Sequence, residues 1–559
     1  MSARRERFRH IVETLGRHGL GFAVGGLHLE RLHLPGRAAG TPGARMPAPE
    51  RVRLALEELG TVFIKFGQIV STRTDIVPPD YAAELATLQD ASPAIPAAQI
   101  RGVIAEELGP AADQLLAGLR DTPLATGSIG QAHEAILAAG GGAADGGALA
   151  DVVVKVRRPG VVEEVNEDLE IMAELAKRAE QASAAVAGWR VAALVDEFAQ
   201  TLRAELDYLQ EARNAEQFAA NFAGDPRVHI PRVFWDATTT RVLTLERLRG
   251  IKISDVNALQ AAGIDTGDLA VRACTVLLKM VFEDGFFHAD PHPGNFFVEP
   301  DGRLGIIDFG MVGRIDDGAR WNLVRVLLAV VDKDPRSLTT AVVRLCGGAD
   351  GDYGTLQAAL GRLLDRYADR PLAEVPLVPV LAELAGLLRT SRLRLPRETA
   401  LMVKMLVMAD GLGKQLDPGF ELTEQLGPFT RGVVLSSLSP EAVAERLKKL
   451  GWEALRFGIE APELARRLLE VLERGGVDVH FRAGELQALM DRAEKTGNRI
   501  VAGLIVAALI GAVGELVSFQ PDRWKRWPKA LFTAGLGGVG ALGGYLALGS
   551  RPHRRRGTG

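Results

Sequence analysis

Three oxygen-bearing side chains, Asp290, Asn295 and Asp308, fall within one stretch of 25 residues, 286–310. Two carboxylates and an amide oxygen are what a phosphate-bound Mg²⁺ accepts, because that ion takes hard oxygen donors and usually only one or two carboxylates. The stretch also predicts how they are held. A loop leads into a short apolar strand, Phe296–Val298, then a Pro-Asp-Gly turn, and a second strand, Leu304–Ile307, delivers Asp308, Phe309 and Gly310. Such a hairpin brings the three side chains to one point. His288 and His292 admit a rival chemistry, since His with carboxylate suits zinc or iron. No cysteine is nearby, however, and the Mg²⁺ reading uses more of the pattern.

Four residues separate Asp290 from Asn295, the interval of a kinase catalytic loop, in which a downstream Asp-Phe-Gly supplies the main metal carboxylate. That pattern calls for a strand lysine that meets the nucleotide phosphates and pairs with a helical glutamate. Ala125, Thr126, Gly127, Ser128, Ile129, Gly130 and Gln131 form a small-residue turn whose backbone N–H groups can approach phosphate oxygens. A strand over about 132–138, a Gly/Ala-rich connector (139–150) and a second strand, Asp151–Arg157, carry the chain on to Lys155. Residues 161–182 and 191–222 read as helices. In the second, Leu194, Phe198, Leu202, Leu206 and Leu209 make the buried stripe, and Glu205, Asp207 and Glu211 lie on other faces. Glu205 is the first choice of partner for Lys155 and Glu211 the second. Arg241–Leu248 reads as a strand entering a hinge whose backbone, with Glu246 and Leu248, would hold adenine. Residues 266–284 give the helix that delivers the catalytic loop. No Ala-Pro-Glu follows closely on Gly310, and helical patterns fill 318–480. Gly413 and Lys414 do not make a phosphate-binding P-loop, since Gln415 follows and the upstream glycine is missing.

At 559 residues with 47% hydrophobic content, the chain exceeds one ordinary domain and can bury a large core with something to spare. A net charge of −4 gives no global basic field and argues against nucleic acid as a partner. Cys274 and Cys346 lie in apolar helical surroundings, as inert core thiols in a reducing compartment would. Residues 1–45 form an Arg-rich, then Gly/Pro-rich arm, either solvated or lying on a membrane surface, with no cleaved signal peptide. From Pro49, Leu56, Leu59, Phe63, Phe66 and Val70 predict an amphipathic helix, with Lys65 and Gln68 together on one edge. Taken alone, that edge is an ordinary wet face.

The C-terminal end carries two apolar runs. Ile500–Phe519 and Ala530–Gly549, at roughly 1.5 Å per residue, each just span a hydrocarbon core of about 30 Å. Two tryptophans and four cations lie between them, as at a membrane interface. A transmembrane hairpin is expected; the alternative is a buried soluble hairpin or helices that only dimerise. Arg492, Lys495 and Arg499 before it and Arg551 and Arg554 to Arg556 after it place both flanks, and the catalytic region, on the cytoplasmic side.

Assembled, the sequence resembles the UbiB family of atypical, protein-kinase-like proteins associated with ubiquinone biosynthesis, over about residues 50–420 and the paired C-terminal helices. Lys65-Phe66-Gly67-Gln68 matches the family's Lys-x-Gly-Gln motif, Ala125–Gln131 its Ala-rich loop and Glu205-Leu206-Asp207 its Glu-x-Asp motif. His288–Asn295 and Asp308–Gly310 match its catalytic and metal motifs. The resemblance implies an α+β, bilobal kinase-like fold with a helical N-terminal extension, a helix-rich C-lobe and a C-terminal transmembrane helical hairpin. The implied division is 1–48 (basic arm), 49–122 (helical extension), 123–250 (N-lobe), 251–480 (C-lobe) and 481–559 (membrane hairpin and basic tail). It implies that Lys155 contacts the nucleotide phosphates and pairs with Glu205, that Asp290 is the catalytic base, and that Asn295 and Asp308 bind Mg²⁺. Lys65, Gln68 and Asp207 become residues of a segment folded over the site. ATP and Mg²⁺ are the implied cofactors, and ATP hydrolysis the implied reaction, with a true kinase or an idle nucleotide-binding scaffold as the alternatives. Membrane lipids or isoprenoid quinone precursors and quinone-biosynthesis enzymes are the implied partners, at the cell inner membrane; the reading also admits a homodimer. Gly127 departs from the family's Ala or Ser and moves the loop toward a glycine-rich phosphate clamp.

Overall fold

The apolar stripe that begins at Leu56 builds two helices, not one. The computed structural model describes residues 3–20, 46–88, 93–138, 149–182, 190–348, 353–367, 375–426 and 429, all within the unit Met1–Val433. Helix α1 (Ala3–Arg17) precedes α2 (Ala48–Leu59) and α3 (Thr61–Ser71). Gly60 separates α2 from α3 at φ +95°, a backbone region that side chains with a Cβ rarely adopt. The stripe still faces one way: Leu56, Leu59, Phe63 and Val70 join a core with Val165, Leu169, Phe198 and Leu202.

After α4 (Pro79–Leu85), α5 (Ala97–Leu108) and α6 (Ala112–Gly118) comes an antiparallel sheet in the order β1 (Pro123–Thr126), β2 (Gly130–Ala138), β3 (Leu149–Arg157), β5 (Val242–Glu246). Along β3, Val152, Val154 and Val156 are fully buried against Ile100, Ile104 and Leu115. Strand alternation therefore sends Lys155 to the other face, between Ala132 and Leu243 of the neighbouring strands.

Helix α7 (Val161–Ala182) is followed by α8 (Val191–Glu205) and α9 (Tyr208–Asn221), where one helix over 191–222 is expected from the stripe. The break is at Asp207, whose backbone is extended (φ −104°, ψ 98°) and whose carboxylate accepts the Leu209 N–H at 3.0 Å as the N-cap of α9. Asp207→Ala is expected to lower stability by about 1 kcal/mol, read as a fall in Tm.

The C-terminal half is built on a buried helix and two small ribbons. Strands β4 (Val228–His229), β9 (Leu304–Ile306), β8 (Phe296–Val298) and β6 (Ile251–Lys252) form one sheet in that order, and β7 (Phe286–His288) pairs with β10 (Val312–Arg314). Between them run α10 (Val256–Ala261) and α11 (Thr266–Phe282), whose Leu277 and Val281 are fully buried with Phe287, Phe296 and Phe309. The hairpin read from the sequence is β8 and β9. Helices α12 (Asp317–Val331), α13 (Pro335–Leu345), α14 (Tyr353–Tyr367), α15 (Leu377–Thr390) and α16 (Arg397–Leu416) follow, and Met405 and Leu412 of α16 join the core around α11. Burial pushes the thiols of Cys274 and Cys346 up to about 12, which leaves both unreactive at neutral pH. The expected membrane hairpin, 500–519 and 530–549, lies outside the described residues. Among those described, no helix is long and apolar enough to cross a membrane.

Candidate active site

A cavity of about 340 Å³ lies where the antiparallel sheet faces the β8–β9 hairpin. The whole turn Ala125–Gln131 lines it, together with Lys65, Lys155, Glu205, Glu211, Asp290, Asn295 and Asp308. The strand lysine, the acidic helix residues and the three oxygen donors thus reach one space. Lys155 Nζ lies 3.9 Å from Asp308 Oδ1.

The glutamate that pairs with Lys155 is Glu211, not Glu205. Asp207 supplies the reason. By ending α8 and starting α9, it leaves Glu205 at the end of one helix, facing α3, and puts Glu211 in the first turn of the next, 7% exposed. Glu205 instead accepts a hydrogen bond from Lys65 Nζ at 2.8 Å, which ties α3 to the mouth of the cavity. Burial pushes the Glu211 carboxyl up while Lys155 pulls it back. Burial alone would lower the Lys155 ammonium, but Asp308 and Glu211 outweigh it and hold it above the ordinary lysine value.

Helix α9 also reads the Asp-Phe-Gly segment. Glu211 accepts the Phe309 N–H at 3.3 Å, and Asn214 Nδ2 donates to the Phe309 carbonyl at 2.9 Å. Asp308 itself has φ +65°, a left-handed conformation that costs a β-carbon residue energy and persists only when its surroundings enforce it. Its carboxylate opens to the cavity, held by the Gly310 N–H at 3.1 Å and drawn below the usual carboxylate range by Lys155. Its carbonyl accepts from His288 Nε2 at 2.6 Å.

His288 is a brace. Its Nδ1 accepts the Asp290 N–H at 3.1 Å, so Nε2 carries the proton given to Asp308, and burial lowers its pKa and favours the neutral ring. Both ring nitrogens are thereby engaged, which removes His288 from the rival zinc or iron reading. Among the described residues no group of three His, Cys, Asp or Glu side chains could hold a metal. The Mg²⁺ donor set fits better. Asn295 Nδ2 donates to the Asp290 carbonyl at 3.1 Å, which leaves its amide oxygen to join the Asp308 carboxylate in the cavity.

In the turn, the Gly127 N–H donates to the Gly130 carbonyl at 2.9 Å. A Cβ on Gly130 would lie 2.1 Å from the Tyr208 hydroxyl and 2.7 Å from the Val156 carbonyl. Gly130→Ala is therefore expected to cost about 1–3 kcal/mol, checked by Tm, and to displace the turn. A Cβ on Gly127 would meet only the Gly130 oxygen at 3.6 Å, an ordinary contact. Gly127→Ala is expected to leave stability unchanged within about 0.5 kcal/mol, checked by Tm.

Several residues singled out from the sequence make contacts other than those expected of them. The buried Gln131 amide spans the Ile95 N–H and C=O, at 2.8 and 3.3 Å, and so clamps the segment before α5. Gln68 donates to the Leu88 carbonyl at 3.0 Å and does not line the cavity. Asp207 is the cap described above. Glu246 and Leu248 also do not line it: Glu246 accepts the Arg232 N–H at 3.1 Å, and Leu248 lies over Gly305. Conversely, Tyr208 and Met311 line the cavity and Lys404 Nζ donates to Asp290 Oδ1 at 2.8 Å, none of them expected. Tyr208 follows the cap and was hidden with it; Lys404, 114 residues beyond Asp290, carries no local signal.

A lysine–glutamate pair beside an Asp-Phe-Gly carboxylate and an Asp/Asn loop, with no Ala-Pro-Glu close after them, defines a kinase-like protein of the atypical class. Residues 87–342 match the ABC1 atypical kinase-like domain and residues 360–421 the UbiB helical domain. The chain is 34% identical to a probable protein kinase UbiB of Marinobacter nauticus over 89% of this chain and 91% of that one. It is 33% identical to the protein of the same name from Xanthomonas campestris pv. campestris, over 89% and 90%. A Synechocystis protein named only as uncharacterized is 35% identical over 79% of this chain and 75% of its own. The chain belongs to the UbiB family of atypical kinase-like proteins, whose kinase-like domain implies ATP as its ligand.

Proposed function

We propose that the protein is a Mg²⁺-dependent ATPase that works at the inner membrane in the biosynthesis of an isoprenoid quinone of the ubiquinone type, on lipid precursors or on the enzymes that process them. The observation that carries the ATPase reading is the Lys65–Glu205 pair. It draws α3 into the mouth of the cavity, on ground that an acceptor polypeptide would otherwise occupy, and leaves water as the acceptor. Lys155, held by Glu211, meets the nucleotide phosphates, the Ala125–Gln131 turn offers N–H groups to their oxygens, and Asp290 orients the attacking water. Asp308 and Asn295 would hold Mg²⁺, which neutralises charge on the phosphates when bound. ATP turnover would then shift the covering helix and help a quinone precursor leave the bilayer for soluble enzymes.

The test is γ-labelled ATP with the purified full chain, with and without liposomes that contain a phenolic lipid. Release of the label as free phosphate, rising with the liposomes, is the expected result. Transfer of the label to a protein or small-molecule acceptor would make it a true kinase instead. Full cellular function of Asp308→Asn would make it an idle scaffold. Mass spectrometry of copurifying lipid would identify the precursor.

A further inference from the structure

The carboxylate in the catalytic-base position does not stand alone. Asp290 Oδ1 accepts from Lys404 Nζ at 2.8 Å, with side-chain exposures of 38% and 19%. Lys404 lies on α16, in the helical domain that follows the kinase-like one. The four residues from Asp290 to Asn295, Pro291, His292, Pro293 and Gly294, hold no lysine or arginine. Resting on the reading of the cavity given above, we propose that Lys404 is the positioning residue for Asp290. It fixes one carboxylate oxygen and so aims the other at the acceptor beside the terminal phosphate.

Three features favour this over an incidental surface pair. Lys404 is half-buried, and its neighbours Met402 and Met405 are buried in the core around α11, so α16 cannot turn without disturbing that core. The approach to α16 is also anchored: the buried Arg73–Asp75 pair grips Leu395, through the Arg73 Nη2 donor at 3.1 Å and the Leu395 N–H to Asp75 Oδ2 at 3.1 Å. Arg73 and Asp75 lie just beyond α3, whose Lys65 lines the same cavity. The segment that covers the site and the helix that holds its catalytic-position carboxylate are therefore fixed to each other.

The experiment uses the full chain and compares wild type, Lys404→Met, Lys404→Gln, Lys404→Arg, Asp290→Asn and the Lys404→Met/Asp290→Asn double variant, with ATP consumption and Tm measured on each. A misaligned base forfeits part of the roughly 10²–10⁴-fold that a positioned one contributes. Lys404→Met is expected to lower kcat about 10-fold or more with KM for ATP within about twofold, Lys404→Arg to restore most of it, and the double variant to be no slower than Asp290→Asn. Unchanged or increased kcat in Lys404→Met, a change confined to KM, or independent losses in the double variant would overturn the proposal. So would unfolding of both Lys404→Met and Lys404→Gln, which would assign the pair to packing. A wild type that consumes no ATP would sink the reading of the cavity as well, whereas turnover indifferent to Lys404 would sink this role alone.

Discussion

Asp308→Asn is expected to lower ATP turnover about 10³-fold or more with the fold intact. The carboxylate it removes is the one that opens to the cavity beside Lys155, and an amide cannot offer a divalent cation the same charge. Stability should survive, because Asn matches Asp in volume and is among the few residues that tolerate the left-handed backbone found there. A side effect follows from the low pKa of Asp308. A carboxyl depressed in the folded state stabilises the fold above its unfolded-state pKa, and the contribution fades as pH falls through the folded value. The variant is therefore expected to flatten the profile of Tm against pH below about pH 4. Phosphate release and thermal melts across pH measure both effects, and a variant that keeps turnover would show that the metal-bearing carboxylate lies elsewhere.

Exchanging the two glutamates separates their tasks just as sharply. Glu211→Gln removes the carboxylate that pairs with Lys155 and receives the Phe309 N–H. It is expected to cost about 3 kcal/mol, because breaking a buried pair leaves the partner charge short of compensation, and to cut turnover about 10²-fold or more. Glu205→Gln loosens only the link from Lys65 and is expected to cost about 1 kcal/mol and less than 10-fold in turnover, while α3 exchanges amide hydrogens faster. Turnover and Tm on the two variants side by side decide it; a larger loss in Glu205→Gln would return the lysine's partnership to the residue the sequence favoured.

What could be read without coordinates was local. Asp290, Asn295 and Asp308 share one hairpin, so spacing alone brought them together, and Lys155 was legible as a residue of its strand. Breaks hidden inside good periodicity were not legible. The stripe from Leu194 to Leu209 runs through Asp207, which looks like one more acidic residue on a wet face until its carboxylate is seen capping α9. That single residue moved the partner of Lys155 by six positions, from Glu205 to Glu211. Gly60 hides the same way between α2 and α3. Glu246 and Leu248 were placed by strand position, and neither lines the cavity. Lys404 lies far outside any local pattern, since a contact made by packing two helices has no signature in the spacing of either.

The hold of α9 on Phe309 bears on inhibitor design. Compounds that need an Asp-Phe-Gly segment turned out of place would have to pull that ring from between Phe218 and His288, with centroids at 5.4 and 6.2 Å. They would also strip Asn214 and Glu211 of their backbone partners, at about 1–3 kcal/mol for each buried group left unsatisfied. Ligands that leave the phenylalanine seated start without that handicap, so a screen against this protein favours compounds that fill the space between the turn and the Asn295–Asp308 pair.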